Sequence, residues 1–301
     1  MRFDGNLAWQ QAVRLCSANK ELLLVLAGVF FFLPGVTSAF FLSGLQEDLM
    51  RNMAAANQQD PKAMFQALSG IYAQMGPYIV GLLLVQTVGT MSMMALLTDA
   101  ARPTVGQAIL LGLKRLPTVF GVGLLLMLGY VLSGMVFVLV LGILGAIVGV
   151  ATGAAAGAGA MSAPVIIIVA IGTAGFIGFL IYAVTRLSLT LPAIVIDQIA
   201  NPWRALRRSW ALTRGNTATL LGFYLVLMVA YAVIGMVVFM LLSTLVKLGT
   251  PQYSKAYFTA NGLVSGLISG VVSILASAII AAVHGQLAGG GGRESLSETF
   301  R

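Results

Sequence analysis

The stretch that decides the fold covers residues 118–147 and reads TVFGVGLLLMLGYVLSGMVFVLVLGILGAI. It contains no charged residue, and it is longer than the roughly 20 apolar residues that a helix needs to cross a bilayer. Lipid offers no hydrogen-bond partner to a backbone N–H or C=O group, so a segment that crosses it satisfies these groups internally as an α-helix. The stretch therefore predicts a transmembrane helix.

Five further runs share this apolar character, and the six together cover 22–45, 77–98, 118–147, 164–191, 218–245 and 262–285. Of all residues, 59% are hydrophobic and 9% are charged, whereas soluble domains carry about 25% charged residues. The sequence predicts an all-α, polytopic membrane protein with about six transmembrane helices. It forms one transmembrane domain over 1–288, followed by a flexible polar tail over 289–301.

The basic residues are distributed unevenly between the two sides of the membrane. If the N-terminus is cytoplasmic, thirteen of the 17 Lys and Arg residues are cytoplasmic, and the other side keeps Arg51, Lys62, Lys247 and Lys255. Because cytoplasmic loops of membrane proteins are enriched in Lys and Arg, this bias predicts that both termini are cytoplasmic. The net charge of +8 then points to membrane phospholipid as the partner, and not to nucleic acid.

An amphipathic segment precedes the fifth apolar run and reads DQIANPWRALRRSWALTRGN over residues 197–216. Arg204, Arg207 and Arg208 share one arc of a helical wheel, Leu206 and Trp210 lie across from it, and Trp203 and Arg214 fall near the border. A helix over 202–214 is predicted to lie in the membrane interface, where Trp at headgroup depth and Arg beside phosphate are both favourable. The candidate residues for binding lipid or phosphate are Arg204, Arg207, Arg208, Arg214, Trp203 and Trp210. The alternative is that they only anchor and orient the chain.

The ends of this helix are also marked in the sequence. Asn201 followed by Pro202 is a suitable N-cap and first-turn pair, and Gly215 with Asn216 is a suitable stop.

A similar stretch, DAARPTVGQAILLGLKRLPT, occurs about 98 residues earlier at 99–118, and a weak apolar helical face before residue 22 resembles it further. We therefore predict three repeats, about 1–98, 99–196 and 197–288, each an interfacial cytoplasmic helix followed by a transmembrane hairpin. Any amphipathic helix before a hairpin would give the same appearance, so true repetition and coincidence both stay open.

The motif NPWRALRRSWALTRGNTATLL at 201–221 resembles the signature of the membrane domain found in some glycerophosphodiester phosphodiesterases. It is similar also to small bacterial inner-membrane proteins that carry this domain alone. The matching positions are Asp197, Asn201, Pro202, Ala205, Leu206, Ser209, Trp210, Leu212, Thr213 and Gly215. The resemblance implies a protein of the bacterial inner membrane.

The phosphodiesterase activity of that family belongs to a separate soluble barrel domain, which uses histidines and metal-binding carboxylates. This chain has one histidine and nine scattered acidic residues, so the resemblance does not carry the activity over. The single cysteine, Cys16, excludes an internal disulfide and a multi-cysteine metal site. We expect no catalytic residue, no metal and no cofactor.

Several polar residues fall at the ends of the spans or inside them. Because charge at membrane depth is costly and faces a partner, water or headgroups, a polar cavity is one interpretation. Its candidate residues are Arg186, Asp99, Asp197, Gln86 and His284. The alternatives are that Arg186 snorkels to the inner interface, that Asp99 and Asp197 cap helices, and that His284 sits at the interface.

Small residues recur every four positions in the sixth span, at Gly262, Gly266 and Gly270. Such spacing lets helices approach closely in lipid, so these glycines predict a helix-packing face. A pore lined by the neighbouring serines is the alternative.

Three classes of function remain open. The sequence favours a non-catalytic membrane protein that binds lipid, scaffolds a partner or another copy of the chain, or serves the cell envelope. A transporter or channel would need several polar residues and broken helices within the spans, for which Gln86 and Pro34 are the best candidates. An intramembrane lipid-modifying enzyme is disfavoured, because no HExxH, Ser/His/Asp or paired-carboxylate motif is present.

Overall fold

The computed structural model describes residues 2–55, 61–97, 103–151, 163–251 and 254–289. Within these ranges the regular structure is helical, and no strand occurs. The helices are α1 (Gly5–Ala18), α2 (Lys20–Ala27), a π-helical turn (Gly28–Phe32), α3 (Leu33–Ala55), α4 (Pro61–Leu96), α5 (Val105–Ala151), α6 (Ala163–Leu187), α7 (Thr190–Val195), α8 (Pro202–Leu212), α9 (Thr217–Gly249) and α10 (Lys255–Leu287).

In the part of the chain that the structure describes, six helical stretches are long and apolar enough to cross a membrane: Lys20–Asp48, Met75–Leu96, Val105–Ala151, Ala163–Val195, Thr217–Gly249 and Lys255–Leu287. Each overlaps one of the six predicted runs, so the prediction of an all-α polytopic membrane protein is confirmed. At 1.5 Å per residue α5 is about 70 Å long, more than twice the roughly 30 Å of hydrocarbon, so it extends well beyond the membrane core.

Helices α1, α7, α8 and the last turns of α10 lie together at one end of the bundle. We call it the basic end, after Arg204, Arg207, Arg208 and Arg214 of the α8 segment. Hydrogen bonds tie α1 into it: the Phe3 amide donates to Asn216 Oδ1 at 2.9 Å, and Gln286 Nε2 donates to Gln11 Oε1 at 3.2 Å. The Asp4 carboxylate caps α1 by accepting from the amides of the second and third residues of that helix. The chain therefore begins and ends its membrane course at the same end of the bundle.

The structure differs from the predicted repeats in the second unit. The segment that was expected to form a separate interfacial helix is continuous with the third span in α5, with Pro117 inside the helix. Gly215 ends α8 with a left-handed φ of 84°, and the stretch before Thr118 has no glycine at the corresponding place. Without a residue that adopts this conformation readily, the chain has no such stop, and the helix continues.

The first span contains Pro34 and nevertheless remains helical throughout. A proline ring removes one backbone hydrogen bond and crowds the carbonyl four residues earlier. The π-helical turn Gly28–Phe32 lies directly before this proline, and such a turn is the usual local adjustment in a helix that stays continuous.

The helix-packing glycines of α10 lie against the first span. A Cβ atom added to Gly35 would lie 2.8 Å from the Gly266 Cα, and one added to Gly262 would lie 2.5 Å from the Ala39 Cβ. Farther along, Gly270 faces Ala27 at an ordinary contact distance of 3.9 Å. At Gly35 and Gly262 the two backbones therefore approach too closely for larger side chains.

Replacing Gly35 by Leu should destabilise the bundle, because the new side chain must push α3 away from α10. Overpacking of this kind costs about 1–3 kcal/mol or more, so the midpoint of thermal unfolding in a mild detergent should fall. The matched control is Gly222→Leu, since a Cβ at Gly222 meets nothing within 4 Å. Equal midpoints for the two variants would contradict the close α3–α10 contact.

Candidate functional site

The ends of α8 are set by local sequence, as predicted. Asn201 is the N-cap, and its side-chain oxygen accepts a hydrogen bond from the Arg204 amide at 3.1 Å. Pro202 occupies the first helical position, where a missing N–H is harmless. Gly215 provides the left-handed residue after the helix.

One face of α8 is buried against the helix ends beneath it. Ala205, Leu206 and Ser209 are buried. The Thr118 hydroxyl of α5 donates to the Ala200 carbonyl at 2.9 Å, just before α8 begins. A Cβ at Gly121 would lie 2.7 Å from the Pro202 ring. The amphipathic helix is thus docked on the protein along its small apolar face.

Ser209 joins α8 to the junction between α6 and α7. Its hydroxyl donates to the Arg186 carbonyl at 2.8 Å and accepts from the Leu189 amide at 3.1 Å. Both backbone groups lie at the end of α6, where helical carbonyls and the next helix's amides lack partners of their own. The resemblance marked Ser209 and Thr213 without giving them a role. Their positions on the buried side of the α8 wheel were the signal that could have identified them.

The Arg186 side chain is buried at the basic end, with an exposed fraction of 7%. Its Nη1 donates to the Trp210 carbonyl at 3.2 Å and to the Thr213 hydroxyl at 3.5 Å. The guanidinium carbon lies 4.4 Å from the centre of the Trp210 ring and 5.6 Å from that of Tyr182, both within cation–π range. Arg186 therefore does not snorkel into water but is enclosed between aromatic rings.

Asp197, Arg208 and His284 form a second polar cluster at the basic end. Arg208 Nε lies 2.8 Å from Asp197 Oδ2, and His284 Nε2 lies 3.3 Å from Asp197 Oδ1. Asp197 thus pairs with an arginine and does not cap α8, which Asn201 caps instead. His284 is only 2% exposed, so it is enclosed by protein where an interfacial position was an alternative.

The remaining candidate residues of α8 and its C-terminal end are exposed. Arg204 and Arg207 are exposed, and so is Arg214 directly after the helix. The exposed fraction is 60% for Trp203 and 40% for Trp210. The predicted binding set is therefore divided: Arg208 and Trp210 are engaged in intramolecular contacts, and the others are available to an external partner.

Gln86 lies elsewhere, in a cleft of about 470 Å³ between α3, α4, α9 and α10. Asn261 also lines this cleft and accepts a hydrogen bond from the Ser243 hydroxyl at 2.7 Å. Among the described residues its lining includes amides, hydroxyls and aromatic rings but no charged side chain. The interpretation that one polar cavity contains Gln86, Arg186, Asp197 and His284 is therefore wrong, because Gln86 lies apart from the other three. Asp99 lies outside the described residues.

The described part of the chain contains no group of three or more His, Cys, Asp or Glu side chains that could hold a metal ion. Its charged clusters are instead the ion pair of Arg208 with Asp197 and the stacking of Arg186 on Trp210, both near helix ends. Such groups position helices and bind anions by charge and hydrogen bonding.

The fold and this site define a multi-pass α-helical membrane protein with a docked amphipathic helix at one end. A family model described as a domain of unknown function, DUF7847, matches residues 10–287, and the chain belongs to this family. Neither the curated proteins nor the solved structures contain a significant match.

Replacing Ser209 by Ala should lower the stability of the protein, because the Arg186 carbonyl and the Leu189 amide would both lose a buried partner. An unsatisfied buried group costs about 1–3 kcal/mol, which should appear as a lower unfolding midpoint in detergent. Ser133→Ala is the control, because that hydroxyl donates only to the Tyr130 carbonyl of its own helix. Indistinguishable midpoints would exclude Ser209 as the link between α8 and the α6–α7 junction.

Proposed function

We propose that this protein is a non-catalytic membrane protein that binds anionic phospholipid headgroups through the exposed arginines of its basic end. The observation that carries the proposal is the orientation of α8. Trp203 and Trp210 are seven residues apart, so they lie within about 20° of each other on the helix. Trp210 contacts Tyr182 edge-on at 6.0 Å, and Tyr182 belongs to a membrane-spanning helix.

This contact turns the tryptophan side of α8 toward the membrane periphery. Arg207 lies about 40° from Trp203 on the helical wheel, and Arg204 lies a further 60° away. Tryptophan rings at headgroup depth with arginines just beyond them are the arrangement of helices that bind the interface of anionic membranes. Arg204 and Arg207 form no ion pair with another described residue, so both are available to phosphate.

The proposal extends to the location of the protein. The positive bias of the basic end supports a cytoplasmic position for it, with both termini inside. The resemblance of 201–221 to a bacterial inner-membrane domain supports the inner membrane. Within that setting, a lipid-binding or scaffolding role in the cell envelope needs no catalytic group.

Reversing the charge of the two free arginines, Arg204→Glu with Arg207→Glu, should weaken the binding of phosphatidylglycerol. A basic residue near an anionic surface contributes about 1 kcal/mol, so affinity should fall by about tenfold or more. Native mass spectrometry of the purified protein, titrated with phosphatidylglycerol or phosphatidylcholine, measures the change. Arg208 is left unchanged because it pairs with Asp197.

The matched control reverses two exposed lysines at the opposite end of the bundle, Lys247→Glu with Lys255→Glu, and so changes the net charge equally. This variant should keep the phosphatidylglycerol affinity of the parent protein. An equal loss in both variants would show an effect of net charge alone and would contradict a site on α8.

Cysteine labelling should reveal the proposed orientation. Burial raises the pKa of the single native thiol, Cys16, and Cys16→Ser provides a cysteine-free background. In this background, a membrane-impermeant maleimide added to intact bacterial cells should label Lys255→Cys, whereas Arg204→Cys should need permeabilised cells. The reverse pattern would place the basic end outside and refute the proposed topology.

A further inference from the structure

We infer that Arg186 is the anchor of a specific site for one phosphate-bearing headgroup, at the junction of α6 and α8. The inference rests on the proposed function, since it gives one lipid a fixed place beside the α8 arginines. It goes beyond that function because it adds a buried cation to the exposed arginines as a contact for phosphate.

The charge of Arg186 has no partner of opposite sign among the described residues. Its contacts with described residues are two ring faces, a carbonyl and a hydroxyl, all of them neutral. No Asp or Glu oxygen of the described residues lies within 4.0 Å of this guanidinium. A cation withdrawn from water is costly unless an anion compensates it. An anion from outside the chain would supply the negative charge that the described residues do not place near Arg186.

The guanidinium of Arg186 keeps an N–H donor that no described residue uses. Arg186 Nε is buried and has no hydrogen-bond partner among the described residues. Stacking on Trp210 covers a face of the guanidinium, and Nη1 is used by α8, so the Nε side of the planar fork is the part still available. Two parallel N–H groups on such an edge match two oxygens of a phosphate.

A lipid headgroup could reach the Arg186 guanidinium from the side of its two aromatic neighbours. Tyr182 and Trp210, which contact the guanidinium, are 41% and 40% exposed, so both residues extend from Arg186 to the protein surface. Arg186 is the penultimate residue of α6, beside the docked helix α8 to which it donates. A displacement of one of these rings would open Nε to a headgroup, while the other ring and the hydrogen bonds of Nη1 keep the fork oriented.

The test compares Arg186→Gln with Arg207→Gln in the full-length protein, purified in a neutral detergent. Native mass spectrometry with phosphatidylglycerol and phosphatidylcholine gives the affinity of each bound lipid. A second readout is Trp210 fluorescence in a Trp9→Phe, Trp203→Phe background, titrated with each lipid and with inorganic phosphate. We expect one tight phosphatidylglycerol site whose affinity falls at least tenfold in Arg186→Gln and about twofold in Arg207→Gln.

If Arg186→Gln does not purify as a monodisperse species, Arg186→Lys replaces it. Lysine keeps the charge but lacks the planar fork, so the tight site should weaken severalfold in a protein that retains its fold. Unchanged affinity in the variant that is measured, Arg186→Gln or its replacement Arg186→Lys, would overturn the inference. Saturation of the Trp210 signal by inorganic phosphate, with no response to lipid, would overturn the assignment to a lipid.

Two further outcomes separate this inference from the proposed function. If the α8 charge reversal abolishes lipid binding and the Arg186 variants do not change it, the proposed function stands and the inference fails. If only the Arg186 variants lose the tight site, the inference stands and the role of the exposed arginines fails. Recovery of stability by Asp99→Asn in the Arg186→Gln protein would identify Asp99 as the counter-ion, and this also overturns the inference.

Discussion

The guanidinium of Arg186 is buried at the end of α6. A buried cation needs hydrogen-bond acceptors and polarisable neighbours, and the basic end supplies both from α8. Arg186 Nη1 donates a hydrogen bond to the Trp210 carbonyl in the last turn of α8, and its positive charge lies over the face of the Trp210 ring. The Arg186 carbonyl accepts from Ser209. Together with the other contacts of α8, Arg186 thereby contributes to the position and rotation of this helix. The rotation then decides which side chains of α8 are exposed.

The rest of the bundle obeys the general rule that backbone polar groups in lipid must be satisfied within helices. Since lipid is as apolar as the side chains it surrounds, the helices associate through close packing and not through a hydrophobic drive. The approach of Gly266 to Gly35 is that kind of contact. It joins the first and last spans, and so brings α1 and the end of α10 to the same face as α8.

Hydropathy alone was sufficient to predict the spans, because a charge-free run of 20 or more residues has no stable alternative to a membrane helix. Local chemistry was sufficient for the ends of α8, since Asn201, Pro202 and Gly215 act on their immediate neighbours. The glycine spacing in the sixth span indicated a packing face, but not which helix would lie against it. In each case the information needed was contained within a few turns of chain.

The partners of the polar residues could not be predicted in the same way. Asp197 and His284 are far apart in sequence, and so are Gln86 and Asn261, and their neighbours depend on how the helices cross. The composition suggested one polar cavity, whereas the folded chain separates a charged basic end from an uncharged cleft. The continuity of α5 through Pro117 also escaped prediction, because proline can end a helix or be accommodated in it.

The central claim is that α8 lies at the headgroup level with its tryptophan side toward lipid and an anionic headgroup at Arg186. A high-resolution cryo-electron microscopy map of the protein in nanodiscs containing phosphatidylglycerol measures this directly. The account predicts α8 in the plane of the headgroups and phosphate density beside the Nε edge of Arg186. An α8 held clear of the membrane, with a carboxylate of the chain filling that edge, would contradict it.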